Sequence, residues 1–145
     1  MSLKVELKPN ERIIIGNSLI TNADQRTRLY IDGTAPVLRE KDILTPETAN
    51  TPCKRIYLAI QLMYLDDDIG AYRETYFSLV DDVVAAAPST LRFIDDMNNE
   101  ILTGSLYKAL KSARKLIQYE EELISNATAG GAGIPAGGTT DGGTA

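Results

Sequence analysis

The chain has 145 residues, 43% hydrophobic and 24% charged, enough for one modest globular domain or two very small ones. With 15 Lys+Arg against 20 Asp+Glu its formal charge is −5, which excludes a broadly basic protein that coats nucleic acid of any sequence. Histidine is absent and cysteine occurs once, so the usual neutral-pH acid/base group, an internal disulfide and a cysteine-based zinc site are all excluded. These limits point to a reduced protein that acts by binding, with no catalytic residue, metal or cofactor.

In chain order, the first 44 residues have β character. Val5 and Leu7 alternate with Lys4, Glu6 and Lys8, the pattern of a half-buried strand. Pro9-Asn10 is turn chemistry, and Ile13-Ile14-Ile15 is a β-branched run ended by Gly16-Asn17. Leu19-Ile20 and Arg28–Ile31 follow, then the turn signal Asp32-Gly33 and a short edge-like segment, Ala35–Leu38. Strands this short bury little, so the unit needs either a second copy or the rest of the chain as a partner.

From Thr45 the period becomes helical. Thr45-Pro46-Glu47 offers a cap, a first-turn proline and an acid for the helix dipole, and Thr51-Pro52 can restart the helix. The run Ile56–Leu65, broken only by Gln61, is apolar on all sides and predicts a central helix. It has about half of the roughly 20 residues a membrane span needs, and the N-terminus has no apolar signal segment. The expected location is cytoplasmic. A second helix over about Ala71–Ala87 presents Tyr72, Tyr76, Leu79 and Val83 on one face; a third carries Leu91, Ile94 and Ile101. Leu106, Leu110, Ala113, Ile117 and Ile124 align a fourth. Seven of the 11 glycines fall in the last 16 residues, which predicts a disordered tail. The expected architecture is α+β: a small antiparallel β-unit over residues 1–45, a three- to four-helix bundle over 46–126, and a Gly/Ala/Thr-rich tail over 127–145.

Charge divides along the same boundary. Residues 1–45 hold seven basic and six acidic side chains, whereas 46–126 hold eight and thirteen. Lys8, Arg12, Arg26 and Arg28 can form a local basic rim, or simply the wet face of a sheet. Arg39 can hold a phosphate or a base edge, or be a strand end paired with Glu40 or Asp42. Lys108, Lys111, Arg114 and Lys115 recur at helical spacing as a cationic stripe that can meet RNA phosphates or an acidic partner protein, with a solvated face balancing Glu120-Glu121-Glu122 the favoured reading. The aspartate runs 66–68, 81–82 and 95–96 lack the alternation of a calcium loop and are surface charge. The helical-half tyrosines are expected to pack helix on helix with hydroxyls reaching solvent, and Cys53 to be a small buried residue.

Three stretches carry a collinear resemblance: Leu3–Gly16, Ala35–Pro46 and Ile56–Leu65, extended by Leu106–Ile117. Together they resemble the FlbT family of bacterial flagellin-synthesis regulators. The resemblance implies post-transcriptional control: association with the untranslated leader of flagellin mRNA, affecting its translation or decay. The β-half, through Glu11–Gly16 and Ala35–Glu40, is also similar to the CsrA family of mRNA-binding regulators, which are interlocked β-dimers. That similarity implies a homodimer and RNA contacts at Val37, Arg39 and Glu40. Lys8 falls where that family has an arginine, and Leu7 where it has another. The expected RNA-binding residues are therefore Lys8, Arg12, Arg28, Val37, Arg39 and Glu40. The alternative expectation is a helical adaptor that binds flagellin or a flagellin chaperone.

Overall fold

The computed structural model describes residues 2–130, with side chains up to 127. Five strands precede four helices, the expected α+β order. Strands β1 (Ser2–Leu7) and β4 (Thr27–Asp32) pair antiparallel as a two-stranded ribbon. Strands β2 (Arg12–Ile15), β3 (Ser18–Thr21) and β5 (Val37–Arg39) form a second antiparallel sheet in the order β3-β2-β5. A two-residue loop joins β2 to β3, and Gly16 at its first position has φ +63°, the conformation a type II′ turn requires there. Asn22 knits the loops at the far end: its amide donates to the carbonyls of Lys8 and Gln25, both at 2.8 Å.

Side-chain alternation along β2 and β5 makes the three-stranded sheet the middle layer. Ile13, Ile15 and Val37 face the ribbon and pack with Val5, Leu7, Leu29 and Ile31. Their neighbours Ile14 and Leu38, paired across the strands, face the helices and belong to the larger core. The partner that the short β-unit needs is thus found in the rest of the same chain.

Helix α1 (Pro52–Asp66) lies against α2 (Ile69–Ala86) and α4 (Leu106–Gly130), and α3 (Leu91–Leu102) packs on α4. The Ile56–Leu65 run is central as expected, with Ile56, Ile60 and Met63 fully buried. The first helix starts at Pro52 and not near Thr45. Thr51 is held extended ahead of the proline and its hydroxyl accepts from Lys54 N–H at 3.2 Å, while Thr45 and Thr48 bond to each other in a separate turn. The aspartate run at 66–68 has a use beyond charge. Asp67 ends α1 in the left-handed conformation, and Asp68 caps α2 by accepting from Ala71 N–H at 3.1 Å. That cap moves the start of α2 to Ile69, and the buried positions on it are Tyr76, Val80 and Val83. Helix α4 continues to Gly130, past the expected boundary at 126; residues 131–145 of the expected tail lie outside the described residues.

A stripe on α1 ties the helices to β5 and the segment after it. Tyr64 accepts from Val37 N–H at 3.1 Å and donates to Val37 C=O at 3.2 Å. Tyr57 donates to the Asp42 carbonyl at 2.6 Å. Gln61, the polar break in the apolar run, is buried and exchanges two 2.9 Å hydrogen bonds with the Leu44 backbone. These hydroxyls do not reach for solvent as expected, because burial raises the cost of leaving them unpaired. Tyr76 likewise donates to Asn98 at 2.7 Å.

At the other end of the bundle, Glu120 of α4 caps α1. It accepts from the Thr51 hydroxyl at 2.6 Å and from Cys53 N–H at 3.1 Å. Burial, and then the Glu120 charge, push the Cys53 thiol well above its ordinary value.

Two outcomes are expected. Gln61→Met keeps the volume but strands the Leu44 N–H and C=O, so urea denaturation should show a loss of about 2–4 kcal/mol. A loss below about 0.5 kcal/mol would contradict the gripping role. Cys53, with its pKa raised on folding, contributes stability that is complete below about pH 9 and falls as pH rises past it. A thiol reagent at pH 9 should modify it only in denaturant; rapid reaction of the native chain would refute the buried placement.

Candidate nucleic-acid interface

Three cations expected at the site each meet a carboxylate. Arg28 sits opposite Glu6 in the β1-β4 register, with Nη2 3.2 Å from Oε2. Arg12 opens β2, where its backbone N–H donates to Glu40 Oε1 at 2.6 Å and its Nε lies 3.7 Å from the same oxygen. Arg39, on the ribbon-facing side of β5 opposite Ile13, reaches across to β1. Its Nη2 donates to the Glu6 carbonyl at 2.8 Å and lies 3.7 Å from Glu11 Oε2, while its Nε is buried without a partner.

The pairings differ from the alternatives open to the sequence. Arg39 takes Glu11, leaving Glu40 to Arg12 and Asp42 to Arg114. Lys8 closes the Pro9-Asn10 turn through its backbone N–H, which donates to Glu11 Oε1 at 2.8 Å. Its ammonium makes no ion pair among the described residues. Glu6 and Glu11 therefore connect Arg28, Arg39 and Lys8 into one network, with the Arg12–Glu40 pair beside it. Val37 adjoins them, but its backbone is occupied by Tyr64. Such partly exposed pairs contribute about 0–1 kcal/mol each, so a phosphate can compete for their cations.

A second feature lies at the seam between the β-half and the helices. Two clefts of about 430 and 420 Å³ meet there and share Arg39, Asp42 and Tyr107. Their lining includes five cations, Lys4, Arg39, Lys41, Lys111 and Arg114, against one carboxylate, Asp42. That carboxylate is matched by Arg114 at 2.7 Å, which also donates to the Tyr57 hydroxyl at 3.1 Å. Burial raises the Tyr57 pKa and Arg114 opposes the shift, so the phenol remains a neutral donor to the Asp42 carbonyl. Tyr107 is 45% exposed, with the Tyr64 ring 5.9 Å away and the Lys111 ammonium 5.1 Å from its ring centre.

Sequence spacing favoured a solvated stripe balancing Glu120–Glu122 over contact with RNA phosphates or an acidic partner. The fold divides that stripe instead. Lys111 and Arg114 line the seam, Lys108 and Lys115 are exposed and line neither cleft, and Glu120 is engaged at the start of α1. The available signal was Tyr107, Lys111 and Arg114 at i, i+4 and i+7, one helix face carrying an aromatic and two cations. Among the described residues, no cluster of three histidine, cysteine or acidic side chains could hold a metal ion. No helix among them is long and apolar enough to cross a membrane.

Residues 3–124 match the family model described as "Flagellar protein FlbT". A Bradyrhizobium diazoefficiens protein named "Probable flagellum biosynthesis repressor protein FlbT 1" is 64% identical over 124 residues, 85% of each chain. A Rhodopseudomonas palustris relative, "Probable flagellum biosynthesis repressor protein FlbT", is 58% identical over 86% of this chain and 99% of its own. "Flagellum biosynthesis repressor protein FlbT" of Caulobacter vibrioides is 34% identical over 95% of this chain and 98% of its own. No solved structure matches the chain. With the family pattern running from the first strand into the last helix, the chain belongs to the FlbT family of flagellar proteins.

Proposed function

We propose that the protein regulates flagellum synthesis after transcription, by binding the untranslated leader of flagellin mRNA and altering its translation or decay. The relatives named as flagellum biosynthesis repressors support the regulatory part of this reading. The observation that carries RNA as the ligand is the network around Arg39. There, weakly paired arginines and the Lys8 ammonium, which makes no ion pair among the described residues, lie around Glu6, Glu11 and Glu40 in a chain whose overall charge is negative. Arginine suits this task because its planar fork can hold a phosphate or a base edge, and single-stranded loops expose such edges. The mechanism is occupancy in the cytoplasm, where leader, ribosome and nuclease meet: bound protein blocks the ribosome site or changes nuclease access. It needs no catalytic group. A homodimer would present two such sites to one leader.

The adaptor alternative has less support. The Ile56–Leu65 run that recommended it is committed to the core, and the exposed apolar side chains of α2 and α3, Phe77, Leu91 and Leu102, are scattered along the helices.

A gel shift with the flagellin leader tests the reading. Lys8→Ala combined with Arg39→Ala should weaken binding roughly tenfold or more at moderate salt, with an unchanged urea midpoint for the Lys8 single variant. The slope of log affinity against log salt should be shallow, about −0.7 for each phosphate contacted. Unchanged affinity in the double variant would remove both residues from the site.

A further inference from the structure

We propose that the seam between β5 and α4 is a binding site for single-stranded RNA, with a base lying on Tyr107 and neighbouring phosphates held by Lys111, Lys41 and Lys4. The proposal rests on the RNA reading above and adds to it a place and a set of residues outside the β-half. The linings carry five cations and one carboxylate; Arg114 is matched to Asp42 and Arg39 to Glu11, which leaves Lys4, Lys41 and Lys111 without an ion pair among the described residues, in a chain of formal charge −5. Folding has gathered positive charge at the junction of two segments, neither of which is strongly basic. An anion is the ligand such a field favours.

Tyr107 narrows the class of anion. The residue is 45% exposed, lies outside the buried core, and its hydroxyl makes no hydrogen bond among the described residues. Tyr64 supports it at 5.9 Å, and the exposed Lys111 side chain lies over it at 5.1 Å. A base has a π-face that can take the place of this exposed ammonium, which is then free for the adjoining phosphate. Each cleft, at about 430 and 420 Å³, is large enough for a small ligand, and the two adjoin, sharing Arg39, Asp42 and Tyr107 in their linings. The seam therefore suits a short run of nucleotides better than a single one. Stacking on one aromatic ring requires an unpaired base, which selects single strands over duplex.

The test uses the full chain with flagellin leader RNA carrying a photoreactive uridine, and the variants Tyr107→Ala, Tyr107→Phe and Lys111→Glu. Crosslinks should map to the peptide containing Tyr107. Tyr107→Ala should lose roughly tenfold or more in affinity, as expected for removing a stacking partner, while Tyr107→Phe stays near wild type. Lys111→Glu should weaken binding and make the salt slope shallower. Circular dichroism and urea midpoints of all three should match wild type. If the wild type binds the leader while Tyr107→Ala and Lys111→Glu bind equally well, the seam assignment falls and the RNA reading stands. Failure of the wild type to bind the leader removes both. Competition by AMP as effective as that by a uridine oligonucleotide would make the site one for a mononucleotide and overturn the RNA assignment. Displacement of RNA by polyglutamate at equal charge would likewise reassign the seam to an acidic protein segment.

Discussion

The fold depends on three side chains of α1 that hold a strand they do not belong to. Tyr57, Gln61 and Tyr64 recur at i, i+4 and i+7, so one face of the helix carries all three. Their hydrogen bonds go to the backbone of Asp42, Leu44 and Val37, along the stretch where the chain leaves the β-half. This fixes β5 and its continuation against the helices. The edge of β5 at Val37 is closed as well, since the Tyr64 hydroxyl occupies both its N–H and its C=O. An edge strand with unpaired backbone groups would otherwise invite another chain.

Once β5 is fixed, the register of the middle sheet follows. Ile14 and Leu38 are cross-strand partners facing the helices, and Ile15 and Val37 are partners facing the ribbon. A slip of one residue in β5 would exchange its faces and place Arg39 in the helical core. A β-unit of about 40 residues has too little interior to be stable alone. Here it shares two interiors, because consecutive residues of β2 and β5 serve different cores. Arg39 gains its place from the same alternation. It faces the ribbon opposite Ile13, and its long side chain can leave the apolar layer only by reaching over β1 to Glu6 and Glu11.

Much of this was legible because periodicity is local. The alternation of Val5 and Leu7, the β-branched run at 13–15 and the apolar helix at 56–65 all report their own burial. The start of α1 was ambiguous because Thr45-Pro46-Glu47 and Thr51-Pro52 carry the same capping chemistry. Pro52 decides between them, since the residue before a proline is driven out of the helical region, and Thr51 has φ −132° and ψ 160°. Gln61 looked like an interruption of an apolar run because the Leu44 backbone it binds is not visible as a side-chain pattern. The ion pairs were hidden for a related reason. Arg12 and Glu40 are 28 residues apart and Arg114 and Asp42 are 72 apart, distances at which spacing carries no information. The sequence could name Arg39 as a candidate, but not Glu11 as its counter-ion, and not Tyr107 as its neighbour across a cleft.

The seam has no existence in either half taken separately, and this constrains how it can work. Lys4 comes from the ribbon, Arg39 and Lys41 from β5 and the turn after it, and Lys111 and Arg114 from α4. These cations repel one another when the halves dock, and the compensating contacts are the α1 stripe and the Arg114–Asp42 pair. An anion in the seam would relieve that repulsion only in the docked state, so its binding and the docking of the halves would reinforce each other by linkage. The acidic helices add a second constraint. Their negative field would oppose long-range capture of RNA, so the proposed site would make few phosphate contacts and draw its selectivity from short-range contacts with unpaired bases. On the proposed RNA reading, an acidic chain with a cationic seam would choose one leader among many transcripts where a uniformly basic surface would be too permissive.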